Sequence, residues 1–267
     1  MSTQVILGFL ASILIGVVLG LVGGGGSILT LPVLVYLLGI NPAISTTYSL
    51  FVVGTTSLVG TARYLRQGLI NYPAALAFSL PSFGAVYLTR TYLVPALPDP
   101  VFATSVFSLS KNVTIMVVFG LVMLAASGAL IRDPLPDSDV SGKPPRLNPQ
   151  LLALEGVLVG VLTGFVGAGG GFLIIPSLVM LARLPVKMAV GTSLLIIAAN
   201  SLIGFLSGLS QVAIDWRFLL EFTALAVVGI LFGSYLARFI SGQKLKKAFG
   251  WFVLVMGVYI ILKETFF

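Results

Sequence analysis

Two runs of small residues constrain this chain more than anything else in it. Gly23-Gly24-Gly25-Gly26-Ser27 and Gly167-Ala168-Gly169-Gly170-Gly171 each lie between apolar stretches, and each is followed by a proline, Pro32 and Pro176. Consecutive glycines hold a helix poorly, because glycine loses the most backbone freedom on being ordered. The apolar segment that starts at Val5 must therefore break at the first run, and a new one begin. Within a bilayer such a break leaves backbone N–H groups without helical partners. The segment restarting at Ser27, or at Gly171, points the electropositive end of its peptide dipoles into the gap, and such an end attracts anions. The runs predict a chain built around two broken elements with an anion site between them.

Composition supplies the bilayer. Of 267 residues, 58% are hydrophobic and only 9% charged, far from the usage of soluble domains. The apolar runs are helix-sized, whereas a barrel would show shorter alternating segments, so the fold class is an all-α polytopic membrane protein. The segments run from Val5 to Val22, Ile28 to Leu38, Ala43 to Ala62, Tyr72 to Leu93 and Val113 to Ile131. They resume from Leu151 to Val166, Phe172 to Ala182, Met188 to Leu206, Trp216 to Phe239 and Ala248 to Leu262. The segments after the glycine runs fall short of the roughly 20 residues a bilayer core needs, which predicts half-helices. Met1-Ser2-Thr3-Gln4 offers no basic region, so the first segment is expected to be a retained helix rather than a cleaved signal.

The two halves are related. Aligning Pro32 with Pro176 gives an offset of 176 − 32 = 144 that holds without a gap from Gly16/Gly160 to Tyr72/Trp216. Ser49 then meets Ser193, Ser57 meets Ser201 and Gln67 meets Gln211. Identities so spread indicate a duplication. Residues 1–131 are read as the first transmembrane repeat, 132–150 as a Pro-rich, charged connector and 151–267 as the second repeat. The interruption from Leu97 to Lys111 is expected to hold a short surface helix. If each glycine run joins two segments returning to one face, that face, with both termini, carries Arg90, Lys111, Arg217 and Lys263. The other face carries Arg63, Arg66, Arg132, Lys143, Arg146, Arg183, Lys187, Arg238, Lys244, Lys246 and Lys247. The positive-inside rule then puts the connector in the cytoplasm and both termini outside. An odd number of segments per half makes the repeats inverted, an arrangement that supports alternating access around a midplane site.

Several functions are excluded by what is missing. The net charge of +7 sits mainly between apolar runs, so it reads as a topology signal and not as a nucleic-acid surface. Cysteine and histidine are absent, which removes disulfides, thiolate metal sites, cysteine nucleophiles and imidazole chemistry. Neither glycine run is followed by Lys-Ser or Lys-Thr, so the phosphate loop of an ATPase is missing too. No cofactor, no metal and no enzymatic activity are expected.

The pattern Gly16-x-x-x-Gly20-x-x-Gly23-x-Gly25-Gly26 with Pro32, its repeat Gly160-x-x-x-Gly164-x-x-Gly167-x-Gly169-Gly170-Gly171 with Pro176, and Ala189-Val190-Gly191-Thr192-Ser193 resemble the sulfite exporter TauE/SafE family of permeases. So does the small-residue turn Gly229 to Gly233. The resemblance implies an inner-membrane transporter of sulfur-containing anions such as sulfite or small organosulfonates, usually exporting them. The first repeat departs from the second at Thr47-Tyr48, where the second has Gly191-Thr192.

A sulfite or sulfonate group offers three acceptor oxygens, so its site needs several donors. Backbone N–H groups at Gly24, Gly25, Gly26 and Ser27, with those at Ala168, Gly169, Gly170 and Gly171, are the first candidates, because missing side chains let a ligand approach. Side-chain donors follow at Thr47, Ser49, Thr56 and Ser57 in the first half and at Thr192, Ser193, Asn200 and Ser201 in the second. Glu221 could relay a proton, or pair with Arg217 one turn earlier. The partners implied are a small sulfur-containing anion and the lipid bilayer; the oligomeric state stays open. The alternative function is a non-transporting membrane scaffold or assembly subunit, in which the glycines serve only helix packing.

Overall fold

The computed structural model describes residues 3–24, 26–103, 108–132, 148–167, 169–209, 212–237, 239 and 242–266. Gly25, Ala168, Gln211 and 133–147 of the connector lie outside the described residues. The protein is an all-α polytopic membrane protein. Its first half holds α1 (Thr3–Val22), α2 (Ser27–Pro32), α3 (Pro42–Arg66), α4 (Tyr72–Leu88) and α5 (Lys111–Arg132). Its second half holds α6 (Pro149–Val166), α7 (Gly171–Met180), α8 (Val186–Gly208), α9 (Trp216–Leu236) and α10 (Gly242–Phe266).

The local sequence explains these boundaries. Asn41, Asn71, Asn148 and Asp215 cap α3, α4, α6 and α9, each side chain accepting a first-turn N–H, from Ala43, Ala74, Leu151 and Phe218. In the second break Gly167, Gly169 and Gly170 have φ of +76°, +67° and +64°, a left-handed backbone that side chains disfavour. Pro32 supplies no N–H, and after it the helix widens to a π-helical stretch, Val33–Leu37, that closes with Leu38 N–H on Val33. A second π-helical stretch, Thr89–Leu93, follows α4 and leads to a short turn, Val94–Ala96. The surface helix expected between Leu97 and Lys111 is not among the described residues. Instead Phe102–Ala103 pairs antiparallel with Ser108–Leu109, beyond Pro98 and Pro100, which push the residues before them toward extended backbone.

The halves interleave. α1 packs mainly on α9, α4 on α6, α3 on α8 and α5 on α10, so every principal partnership joins one half to the other. Small residues permit it. Side chains at Gly16 and Gly20 would collide with the backbone of Ala226, Ile230 and Ser234, and side chains at Gly156 and Gly160 with that of Phe78 and Ser82. These contacts obey the sequence offset: Gly16 with Ala226 maps onto Gly160 with Ser82 (160 − 16 = 226 − 82 = 144). So do Gly23 with Val190 and Gly167 with Thr46, and Gly60 with Leu194 and Gly204 with Leu50. The correspondence therefore extends past Tyr72/Trp216 into α4 and α9.

Directions follow from the same pairs. Gly16 and Gly20 meet rising numbers along α9, so α1 and α9 run parallel, as do α6 and α4. Leu50 meets Gly204 while Gly60 meets Leu194, so α3 and α8 are antiparallel; Gly120 near Ile261 and Gly257 near Leu124 make α5 and α10 antiparallel. α3 and α8 form the buried centre. Leu10 and Leu14 of α1, Leu76 and Leu80 of α4, Leu154 and Leu158 of α6, and Leu231 and Phe232 of α9 face outward. An apolar exterior of that extent suits lipid and not water.

Candidate functional site

The two interruptions meet at the centre of the bundle. Gly24 and Gly171 approach so closely that a side chain on either would strike the other's backbone. Gly26 lies against Ile15 and Leu19 of α1, and its image Gly170 against Val159 and Thr163 of α6. The missing side chain lets Gly26 approach the α1 backbone and lets Gly170 sit against the side chains of Val159 and Thr163. Gly169 differs, because a Cβ there would lie 2.9 Å from the Ser201 hydroxyl and 2.9 Å from Val53. The half-helix starts are partly closed by their own turns: Leu29 N–H donates to Gly26 C=O at 3.1 Å and Leu173 N–H to Gly170 C=O at 3.0 Å.

Around this junction the side chains fall into two sets. Ser27 donates to Gly24 C=O at 2.7 Å and Ser193 to Val190 C=O at 2.8 Å, while Thr192 accepts Asn71 N–H at 2.9 Å. These hydroxyls are engaged by the backbone. The other set is buried and has no hydrogen-bond partner among the described residues: the hydroxyls of Ser49, Thr56 and Ser57 on α3, that of Ser201 on α8, and the Asn200 side-chain oxygen. The Asn200 amide nitrogen donates to Ser82 at 2.7 Å, which fixes the side chain and leaves its oxygen as the orphan. Thr30 on α2 and Thr163 on α6 join this set, Thr163 next to Gly170. A buried hydroxyl without a partner costs about 1–3 kcal/mol, and such groups in folded proteins ordinarily find a protein, water or ligand partner. These six hydroxyls and one amide oxygen, on α3, α8 and the helices that flank the breaks, are left unsatisfied by bonds among the described residues.

Sequence reasoning missed Thr30 and Thr163, since a threonine within an apolar helix ordinarily bonds the carbonyl one turn back. It also misread Arg90. At the end of an apolar run an arginine resembles a loop charge, yet the side chain is only 4% exposed. From the π-helical stretch Thr89–Leu93 its Nη1 donates to Thr46 at 2.8 Å and its Nη2 to Thr47 at 2.6 Å. π-Helical turns within helices often occur at functional positions.

The departure of the first repeat at Thr47-Tyr48 acquires a reason here. The Tyr48 hydroxyl accepts Asp215 N–H at 2.7 Å, and its image Thr192 accepts the N–H of Asn71, the image of Asp215. Tyrosine and threonine do the same work at 48 and 192. Positions 47 and 191 differ in earnest: Thr47 holds Arg90, whereas Gly191 lies under Tyr64 and the Leu69 carbonyl. Glu221 is paired with Arg217 at 3.1 Å in an exposed i,i+4 bridge.

Comparison with known proteins places the sequence in a family. The sulfite exporter TauE/SafE family matches residues 8–260. A probable membrane transporter protein of Xylella fastidiosa (strain 9a5c) is 30% identical over 256 residues, covering 94% of this chain and 92% of its own. The probable membrane transporter protein YunE of Bacillus subtilis (strain 168) is 28% identical over 275 residues, 97% of this chain and 93% of that one. One from Haemophilus influenzae (strain ATCC 51907 / DSM 11121 / KW20 / Rd) is 26% identical over 290 residues, 98% of this chain and all of its own. No solved structure matches the chain. The chain belongs to the sulfite exporter TauE/SafE family, a family of membrane transporters.

Proposed function

We propose that this member of the TauE/SafE family is a secondary transporter, working as an exporter, of sulfur-containing anions such as sulfite or small organosulfonates. The anion binds near the midplane, between the half-helix starts and the α3–α8 centre. The observation that carries this reading is the set of buried polar atoms on Ser49, Thr56, Ser57, Asn200 and Ser201 that have no partner among the described residues, Ser201 lying against Gly169 of the second break. Hydroxyls donate to the anion's oxygens, and backbone N–H groups at the breaks, Gly24 to Ser27 and Gly169 to Gly171, add positive potential without a full charge. Binding of that strength holds an anion and still releases it. A scaffold would account for the glycine packing but would leave the unpartnered hydroxyls a pure cost.

The halves act as inverted repeats, 1–131 and 151–267, joined through 132–150. The antiparallel crossing of α3 with its image α8, and of α5 with α10, supports a two-fold axis across the helices; an axis along them would make each pair parallel. The orientation proposed puts the chain in the cell's inner membrane with the connector cytoplasmic and both termini outside. Sulfite flux into liposomes holding the purified protein tests the reading. Saturable flux that falls when Ser57 and Ser201 are both changed to alanine is the expected result, and intact protein that moves neither sulfite nor a small sulfonate overturns it.

A further inference from the structure

We propose that Arg90 and Arg63 are two oxyanion-binding stations, one at each end of α3, which the transported anion meets in turn on either side of the central polar cluster. This rests on the anion-transport reading above and adds to it the residues that draw the anion in.

The first station is buried. Arg90 reaches Thr46 and Thr47 at the start of α3, and its guanidinium also lies against Gly208 at the end of α8, where a Cβ would stand 3.2 Å from Nη2. Thr46 in turn packs on Gly167, the first residue of the second break. The guanidinium therefore sits between the starting turn of α3, the last turn of α8 and the edge of the glycine run. The second station is at the far end of α3, where Nη1 of the half-buried Arg63 donates to Ser234 on α9 at 3.0 Å. Ser234 packs on Gly20, near the edge of the first break.

The two places are images of each other. A shift of 144 residues carries Arg90 onto Ser234, and Arg63 onto Ser207, the neighbour of Gly208. Each place thus has a guanidinium, Arg90 from the π-helical stretch after α4 at one and Arg63 from α3 at the other. A cation supplied by different helices at equivalent places supports a shared role for the two. Between Thr47 and Arg63 α3 rises about 24 Å at 1.5 Å per residue, most of the roughly 30 Å hydrocarbon thickness. Ser49, Thr56 and Ser57 lie between. A guanidinium presents a planar fork of N–H donors that matches two oxygens of an oxyanion.

The absence of cysteine makes the test direct. Ser207→Cys, in the full chain in liposomes, is modified with an anionic, sulfonate-bearing methanethiosulfonate and with a cationic, trimethylammonium one. The ratio of the two rates reads the local potential. Arg90→Gln should lower it about tenfold, because a unit charge so close in a partly dry site acts on both reagents with opposite sign. Arg90→Lys should keep it within about threefold, and Arg63→Gln, across the membrane, should leave it unchanged. If Arg90→Gln does not fold, Thr47→Val replaces it; removing the Nη2 acceptor loosens the hold on the guanidinium, so the ratio should change by at least twofold. The proposal is overturned if neither reagent reaches Ser207→Cys, if Arg90→Gln or its replacement leaves the ratio unmoved, or if Arg63→Gln moves it equally. Sulfite flux by the wild-type chain in the same liposomes is a separate reading: its absence would end the transport assignment whatever the ratios show.

Discussion

Replacing Ser57 by alanine should stabilise the ligand-free protein and weaken its hold on sulfite. Ser57 is fully buried and its hydroxyl has no partner among the described residues, while the neighbouring Thr61 hydroxyl donates to the Ser57 backbone carbonyl. An unpartnered hydroxyl in an apolar surrounding costs about 1–3 kcal/mol, and alanine removes it with little change of shape. Melting in detergent without anion should therefore move up by a few degrees. The bound state loses a hydrogen bond to a charged partner, worth roughly 1.5–3 kcal/mol, so the sulfite Kd should rise about 10- to 150-fold. Ser201→Ala should do the same from α8, where its hydroxyl lies beside Gly169. Ser12→Ala gives the contrast: this equally buried hydroxyl donates to Phe9 C=O at 2.8 Å, so its loss should destabilise by about 0.5–1.5 kcal/mol and leave sulfite affinity alone. Thermal melts with and without sulfite measure both effects. A Ser57→Ala protein that melts lower than wild type without anion, yet binds sulfite as well, would refute the reasoning.

Other substitutions separate packing from ligand contact. Gly26→Ala drives a methyl into the backbone of Leu19 and Ile15 and should cost about 1–3 kcal/mol or more, seen as lost folded yield on size exclusion; Gly84→Ala meets nothing within 4 Å and should be neutral or slightly stabilising. Asn71→Ala and Asp215→Ala each remove a helix cap and should cost about 1 kcal/mol in a thermal melt. Glu221→Gln breaks only an exposed pair with Arg217, so melting should shift by less than about 0.5 kcal/mol and sulfite flux should keep its dependence on pH. A lost pH response there would assign Glu221 a part in proton movement.

Much of this architecture was legible in the residues. Ten apolar runs and two glycine breaks foretold the helices α1 to α10 and the starts of α2 and α7, while the 144-residue offset showed that the halves are related and not which helices pack together. Periodicity and backbone chemistry act locally, so they can be read locally. The stretch from Leu97 to Lys111 failed because polar content suggested a surface helix, while Pro98 and Pro100 favoured extended chain. Which hydroxyls stand free was not legible: Ser193 and Ser49 differ by neither type nor repeat position, and only the fold turns one to Val190 and leaves the other unbonded. Arg90 was hidden for a related reason, since what buries it is Thr46, Thr47 and Gly208 arriving from other helices.

The most direct measurement is a structure of the protein in lipid with selenite, whose heavy atom marks the position a sulfite sulfur would take. One selenium within hydrogen-bonding reach of the side chains of Ser57, Asn200 and Ser201, beside Gly24, Gly169 and Gly171, is the expected result. Selenite held elsewhere, by a protein that still transports it and whose hydroxyls at 57 and 201 stay unbonded, would contradict a central site between the two breaks.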